Sequence, residues 1–476
     1  MGTLVSISPT TGAEVGRWTS HTEDDLSTAV QQASEAADQW RFSSWDIRAA
    51  LLHAVSHELS SRRVTLANLM VDEMGKPISE ALSEIDKCAV AAEFFGEHAE
   101  GFLADRPVET SASRSWVAHE PLGVILAVMP WNFPFWQVVR FAAPALAAGN
   151  AALLKHAPSV TGCALAAQEL FRAAAASVGA PEALFTTLLI DESDVAEATT
   201  RIIDHPSVAA ITLTGSERAG MSVAAAAAHA LKKSVLELGG SDPFIVLGDA
   251  DVPAAARAAV KSRFLNGGQS CLAAKRFIVA ESVADEFTEI FARLTSELIV
   301  GDPHDPATQI GPVARISQAE ALQQQVDTSI AAGAVAVVGG RPLVPGSAFF
   351  QPTILTDVTP EMAVFKEETF GPIAAVVRAS DDEHAVRLAD TTVYGLGASV
   401  WSTNVDRALA VGRRINSGAL FVNAVVASDP RVPFGGTRRS GYGRELSVEG
   451  IREFTNVRTF WVDDSTPDSN EQGTVK

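Results

Sequence analysis

From about residue 107 the sequence alternates short apolar runs with longer segments of helical period, and that alternation constrains the fold most. Residues 115–120 alternate as a strand does, and 123–128 form a continuous apolar run. Such a run suits a strand buried on both faces of a parallel sheet. A helix is expected over 135–148, a strand over 151–154, a helix over 160–177 and a strand over 185–190. A further strand at 208–213 and a helix at 220–231 continue the series. The pattern is that of a doubly wound α/β sheet. After Leu236 it starts again, with strands expected at 243–247, 276–279, 335–338 and 373–377, which defines a second α/β unit. The first hundred residues read as mostly helical, over 24–40, 48–74 and 78–98, with Gly75-Lys76-Pro77 as a stop signal.

Bulk properties bound the rest. A chain of 476 residues implies two or three structural units. No apolar run reaches the ~20 residues that a membrane span needs, and the N-terminus lacks the pattern of a secretory signal. The net charge of −20 argues against nucleic acid as a partner, because an acidic chain repels phosphate backbones. Three cysteines form no disulfide framework, which fits a reducing cytoplasm. The tail over 463–476 is polar and is expected to be disordered.

Four short segments carry chemistry. Pro130-Trp131-Asn132-Phe133-Pro134 follows a strand, and its two prolines fix the turn. Asn132 there either directs its amide at a developing oxyanion or caps the next helix. Thr214 to Gly220 joins a strand to a helix. It lacks the GxGxxG fingerprint, so it is either a pyrophosphate cradle or an ordinary turn. Glu237, before Leu238-Gly239-Gly240, is either a base or a solvated surface carboxylate. Asn266-Gly267-Gly268-Gln269-Ser270-Cys271 sets a thiol after a glycine-rich loop, where exposure and a lowered pKa make a nucleophile. Cys88 and Cys163, in helical Ala-rich surroundings, are expected to be buried and inert.

Together these segments resemble the aldehyde dehydrogenase superfamily over nearly the whole chain. The resemblance extends to residues 367–372 and 433–441 and to the separations of Glu237, Cys271 and Glu368. It implies Cys271 as nucleophile, Asn132 and the Cys271 backbone N–H as oxyanion donors, and Glu237 as the base that hydrolyses a thioester. For the cofactor it implies Lys155 on the adenosine ribose and Gly215, Ser216 and Gly220 near the pyrophosphate. It also implies Glu368 and Phe370 at the nicotinamide ribose and ring, with Trp131, Pro158, Ser159 and Leu238 nearby. No metal is expected. The implied fold is α/β and aldehyde dehydrogenase-like. A Rossmann-type cofactor domain spans 1–106 and 122–236, and a catalytic domain 237–456. A β-hairpin oligomerisation arm over 107–121, joined by 457–462, implies a homodimer or homotetramer.

Within the family the chain looks most like bacterial succinate-semialdehyde dehydrogenases, with a broad-range aldehyde dehydrogenase or a catalytically silent relative as alternatives. Arg140, eight residues after Asn132, and Ser428, five before Pro433, match residues that hold a substrate carboxylate. One departure is Leu265, where several relatives carry a second Arg; Arg263 or Arg431 is the candidate substitute. Pro158 stands where many NAD-preferring relatives place a Glu against the ribose hydroxyls. Nothing there repels a 2′-phosphate, so dual NAD and NADP use with a lean to NADP is expected.

Overall fold

A computed structural model describes residues 2–464. Two large sheets organise the chain. The first has six strands in the order Gly441–Tyr442, Lys233–Glu237, Val208–Thr214, Val124–Met129, Ala151–His156 and Phe185–Thr187. All neighbours in it are parallel except the first pair. From Val124–Met129 the chain continues to one side through Ala151–His156 and later to the other through Val208–Thr214. The connections therefore diverge at this point, and a crevice opens beyond the carboxyl ends of the strands. The 130–134 and 215–220 segments both lie at that edge.

The second sheet has seven strands, in the order Val335–Val338, Thr353–Thr356, Ile373–Ala379, Ala274–Ala280, Asp242–Val246, Gly397–Trp401 and Ala419–Val422. Only its first pair is antiparallel. Glu237 ends a strand of the first sheet, and the chain enters the second sheet at Asp242. Cys271 lies just before the strand Ala274–Ala280. The carboxyl edge of one sheet and the amino edge of the other thus supply the chemistry-bearing segments. One apolar core surrounds the first sheet and the N-terminal helices, and two more fill the faces of the second.

The expected 107–121 arm forms a three-stranded sheet of Arg106–Pro107, Arg114–Pro121 and Thr455–Val462. Trp116 stacks on Phe460 across it, with centroids 4.8 Å apart.

Some local expectations need correction. The chain opens with an antiparallel pair, Thr3–Ile7 and Glu14–Thr19, before any helix. The helix expected over 48–74 is two, Trp45–Ser61 and Arg63–Met74, because Arg62 leaves helical geometry at φ −101°, ψ 9°. The strand expected over 185–190 stops at Thr187. Strands at Lys233–Glu237, Thr353–Thr356, Gly397–Trp401 and Ala419–Val422 escaped the sequence reading. They have four or five residues each, too few to show a period. The expectation for the tail falls, beyond Asp464, outside the described residues. Among the described residues no helix is long and apolar enough to cross a membrane.

Candidate active site

The loop before Cys271 is held by a dense set of hydrogen bonds. Asn266 and Gly267 take left-handed backbone, with φ of 55° and 59°. At Gly268 (φ 74°) a Cβ would lie 2.3 Å from the Gly371 carbonyl oxygen, so no larger residue fits. Asn266 Nδ2 donates to the Asn132 carbonyl (2.8 Å) and the Gln269 carbonyl (3.2 Å). Asn132 Nδ2 also donates to the Gln269 carbonyl (3.0 Å), and its Oδ1 accepts from Gln137 (3.0 Å). Asn132 is therefore not a helix cap; the helix Trp136–Ala147 has Phe135 at that position. A primary amide has two N–H donors, and the Gln269 carbonyl accepts from Asn132 Nδ2.

Two buried cations fix the surrounding backbone. Arg263 donates to the carbonyls of Ala274 (3.0 Å), Gly268 (2.7 Å), Thr369 (3.2 Å) and Gly371. Lys275 Nζ donates to the carbonyls of Ser270 (3.0 Å), Cys271 (2.9 Å) and Ala273 (3.1 Å), and pairs with Glu368 at 3.5 Å. Gly240, whose added Cβ would sit 2.9 Å from the Cys271 carbonyl oxygen, brings the 237–240 turn against the Cys271 loop.

Burial dominates the electrostatics. The Cys271 thiol is pushed up to about 12 by burial, although Arg140 and then Lys275 favour its charged form. Glu237 is 2% exposed, not a solvated carboxylate, and neither oxygen has a hydrogen-bond partner. Burial, reinforced by the nearby Glu445 charge, holds it well above the usual carboxylate range, with Arg140 and Arg444 opposing. Cys88 and Cys163 are fully buried, and burial raises both thiols, as their inert reading requires.

Each arginine expected near a substrate carboxylate has partners within the protein. Arg140 is buried, forms an ion pair with Glu445, donates to Thr214 Oγ1 (3.1 Å) and lies over the Phe434 ring at 4.6 Å. Its charge is committed inside the protein. Arg263 is spent on carbonyls. Arg431 is exposed and pairs with Asp429 at 2.6 Å. Replacing Arg140 by Ala is therefore expected to strand Glu445 beside Glu237 with their principal cation removed. Breaking a buried pair this way costs about 3–5 kcal/mol. Thermal denaturation is expected to show that loss, with charged and uncharged aldehydes turned over more slowly alike. A variant of unchanged stability would show that Arg140 has no such role. Ser428 does face a cation, though an unforeseen one: Lys87 Nζ donates to its Oγ at 2.7 Å.

A cavity of about 430 Å³ opens near the carboxyl ends of the first sheet's strands, lined by Val128, Lys155, Pro158, Glu192, Leu213 and Arg218, among others. Burial pushes Lys155 down to about 8, with Glu192 opposing. Ser216 caps the helix Glu217–His229, accepting from the Ala219 N–H (3.3 Å), while the Gly215 N–H donates to the Glu237 carbonyl (2.9 Å). Gly220 lets that helix approach Leu238, whose Cδ2 would sit 2.5 Å from an added Cβ. Ser159 is in the turn Pro158–Val160; its carbonyl accepts from Ser6 Oγ (2.7 Å), and its own Oγ is buried without a partner. Trp131 and Phe370 meet edge to face, centroids 5.8 Å apart. Glu368 Oε1 accepts from the Gly240 N–H (3.0 Å).

The sequence pattern of the aldehyde dehydrogenase family matches residues 2–460. The chain belongs to the aldehyde dehydrogenase family. A succinate-semialdehyde dehydrogenase (NADP(+)) of Mycobacterium leprae is 46% identical over 463 residues, covering 96% of this chain and 99% of the relative. A succinate semialdehyde dehydrogenase (NAD(P)+) of Escherichia coli is 42% identical over 459 residues, covering 96% and 98%. Among solved structures, succinic semialdehyde dehydrogenase from Streptococcus pyogenes in complex with NADP+ superposes with a TM-score of 0.92 at 35% identity, covering 97% of this chain and all of that one. In this aldehyde dehydrogenase, Asn132 and Cys271 sit on interlocked loops, and Glu237 leads into the turn packed on Cys271. The 430 Å³ cavity takes in Lys155 and Pro158 but not Ser159. Lys275, Glu445, Lys87, Glu192 and Arg218 were missed; Glu445 and Lys87, for example, meet partners distant in sequence, Arg140 and Ser428.

Proposed function

We propose that this enzyme oxidises succinic semialdehyde to succinate, with Cys271 as nucleophile and NADP preferred over NAD. The observation that carries the reading is the meeting of the Cys271 loop, the Asn132 amide and a buried, unpartnered Glu237. Cys271 Sγ attacks the aldehyde carbon, and the Asn132 N–H and the Cys271 backbone N–H hold the resulting oxyanion. NADP or NAD, which the residues around Lys155 and Pro158 would hold, would supply the hydride acceptor for this oxidation; loss of that hydride leaves a thioester on Cys271 Sγ. Glu237 takes a proton from water, which attacks the thioester carbon; the C–S bond breaks and the free acid leaves. Burial raises both Cys271 and Glu237, and each acts in its deprotonated form. The rate is thus expected to climb as pH rises through the alkaline range, and a flat profile from neutral upward would contradict that assignment.

The 430 Å³ cavity fits an adenosine end, with Lys155 and Arg218 supplying positive charge. Lys155, a cation in a partly dry setting, favours a 2′-phosphate. Glu192, on the same wall, tempers that preference, which supports dual use. The substrate reading rests on the named relatives and on the Lys87–Ser428 pair. The exposed Val457 and Trp461 on the edge strand Thr455–Val462 support a homodimer or dimer of dimers built through that sheet. Three unpaired cysteines support a cytoplasmic setting.

Steady-state assays test this reading directly. NADP is expected to give ~10-fold higher kcat/KM than NAD, the scale of one charge-assisted hydrogen bond. Succinate is expected to form without coenzyme A. Equal or better use of NAD would overturn the cofactor preference, and a requirement for coenzyme A would overturn the hydrolytic mechanism.

A further inference from the structure

The stop signal Gly75-Lys76-Pro77 does more than separate two helices. It precedes the helix Ile78–Leu103, and Lys76, Glu80 and Glu84 recur every fourth residue, so the two carboxylates share one helix face. Lys76 and Glu84 are buried and form an ion pair. The Lys76 ammonium also lies 3.9 Å from the centroid of the Phe133 ring. The other carboxylate oxygen of Glu84, Oε1, accepts from the backbone N–H groups of Phe135 and Trp136, both at 2.9 Å. These are donors left open at the start of the helix Trp136–Ala147, which has no side-chain cap of its own. The helix dipole favours a carboxylate at that end as well. The segment that follows Asn132 is therefore pinned at Phe133, Phe135 and Trp136 by a pair distant in sequence.

Glu80, one helical turn before Glu84, reaches the other loop. Its Oε2 accepts from the Asn266 backbone N–H at 2.7 Å. Asn266 is the left-handed residue whose amide donates to the Asn132 carbonyl (2.8 Å) and, together with the Asn132 amide, to the Gln269 carbonyl. A closed ring results, from Glu80 through Asn266 and Asn132 to the start of the helix Trp136–Ala147, and back through Glu84 to the helix that carries both carboxylates. A buried ion pair contributes little net stability; what this one fixes is the place of one loop against another. We propose that Glu80 is a positioning residue for the oxidation, anchored by the Lys76–Glu84 pair, and that it sets Asn132 against the Cys271 loop by holding Asn266. This inference rests on the proposed part of Asn132 as oxyanion donor and says which residue places it.

The test is a double-mutant cycle on the first turnover, read by rapid mixing as the rate of cofactor reduction with succinic semialdehyde and NADP. Glu80→Ala and Glu80→Gln are each made in the wild-type chain and in Asn132→Ala. Glu80→Asp, whose carboxylate draws back from Asn266 by one methylene, replaces Glu80→Ala if that variant does not fold. In the wild-type chain Glu80→Ala is expected to slow the first turnover ~10-fold, part of the ~10²- to 10³-fold that removal of an oxyanion donor costs. Glu80→Gln, whose amide oxygen still accepts from the Asn266 N–H, is expected to stay within ~3-fold of wild type. In Asn132→Ala the same Glu80→Ala change is expected to cost less than ~3-fold, because residues that act through one another do not add. An unchanged rate in Glu80→Ala, an equal loss in both backgrounds, or a loss in Glu80→Gln as large as in Glu80→Ala would overturn the inference while the part of Asn132 stands. If Asn132→Ala alone leaves the first turnover within ~3-fold of wild type, the oxyanion reading falls and takes the inference with it.

Discussion

Replacing Cys271 by Ala is expected to lower kcat by at least ~10⁴-fold, the scale seen when the covalent nucleophile of an enzyme is removed. Binding of NADP is expected to persist, because Cys271 does not line the cavity that holds Lys155 and Pro158. The fold is expected to persist too. The loop is fixed through its backbone, by Lys275 on three carbonyls and Arg263 on four, and not through the sulfur. Fluorescence titration of NADP with the variant, beside the rate assay, separates lost chemistry from lost structure. Residual turnover within tenfold of wild type would place the nucleophile elsewhere.

Glu237→Gln is expected to lower steady-state turnover by ~10²- to 10⁴-fold, the range for a missing general base. The two half-reactions should not suffer equally. Acylation needs Cys271 and Asn132, whereas hydrolysis needs a proton taken from water. Rapid mixing is thus expected to show a burst of reduced cofactor near one equivalent per site, followed by slow turnover. The substitution suits the site. Neither carboxyl oxygen of Glu237 has a hydrogen-bond partner, so an amide of the same shape breaks no internal bond. Loss of the burst together with the slow phase, in a folded variant that binds cofactor, would give Glu237 a part in the first half-reaction as well.

The site was legible in the sequence where its demands are local. Left-handed backbone at Asn266, Gly267 and Gly268 needs residues that tolerate it, and these form a readable string before Cys271. The Pro130–Pro134 turn declares itself through two prolines. The parallel strands Val124–Met129 and Ala151–His156, buried along their length, show as unbroken apolar runs. What escaped was pairing at a distance. Position identified Arg140, but nothing in spacing shows that Glu445 neutralises it. Nothing in the pattern of the helix Ile78–Leu103 marks Lys87 as the residue that meets Ser428. Glu237 read equally well as a solvated carboxylate, since burial is a property of the fold around it. The order of the two sheets likewise depends on crossovers that short strands such as Gly397–Trp401 do not reveal.

The central claim is that the reacting carbon becomes covalently bound to Cys271 and that Glu237 releases it. Mixing Glu237→Gln with succinic semialdehyde and NADP, quenching in acid during slow turnover and mapping the digested chain by mass spectrometry tests both halves at once. The account predicts one succinyl group, on the peptide that carries Cys271, in most of the protein. An unmodified Cys271 under the same turnover, or a succinyl group on another residue, would contradict it.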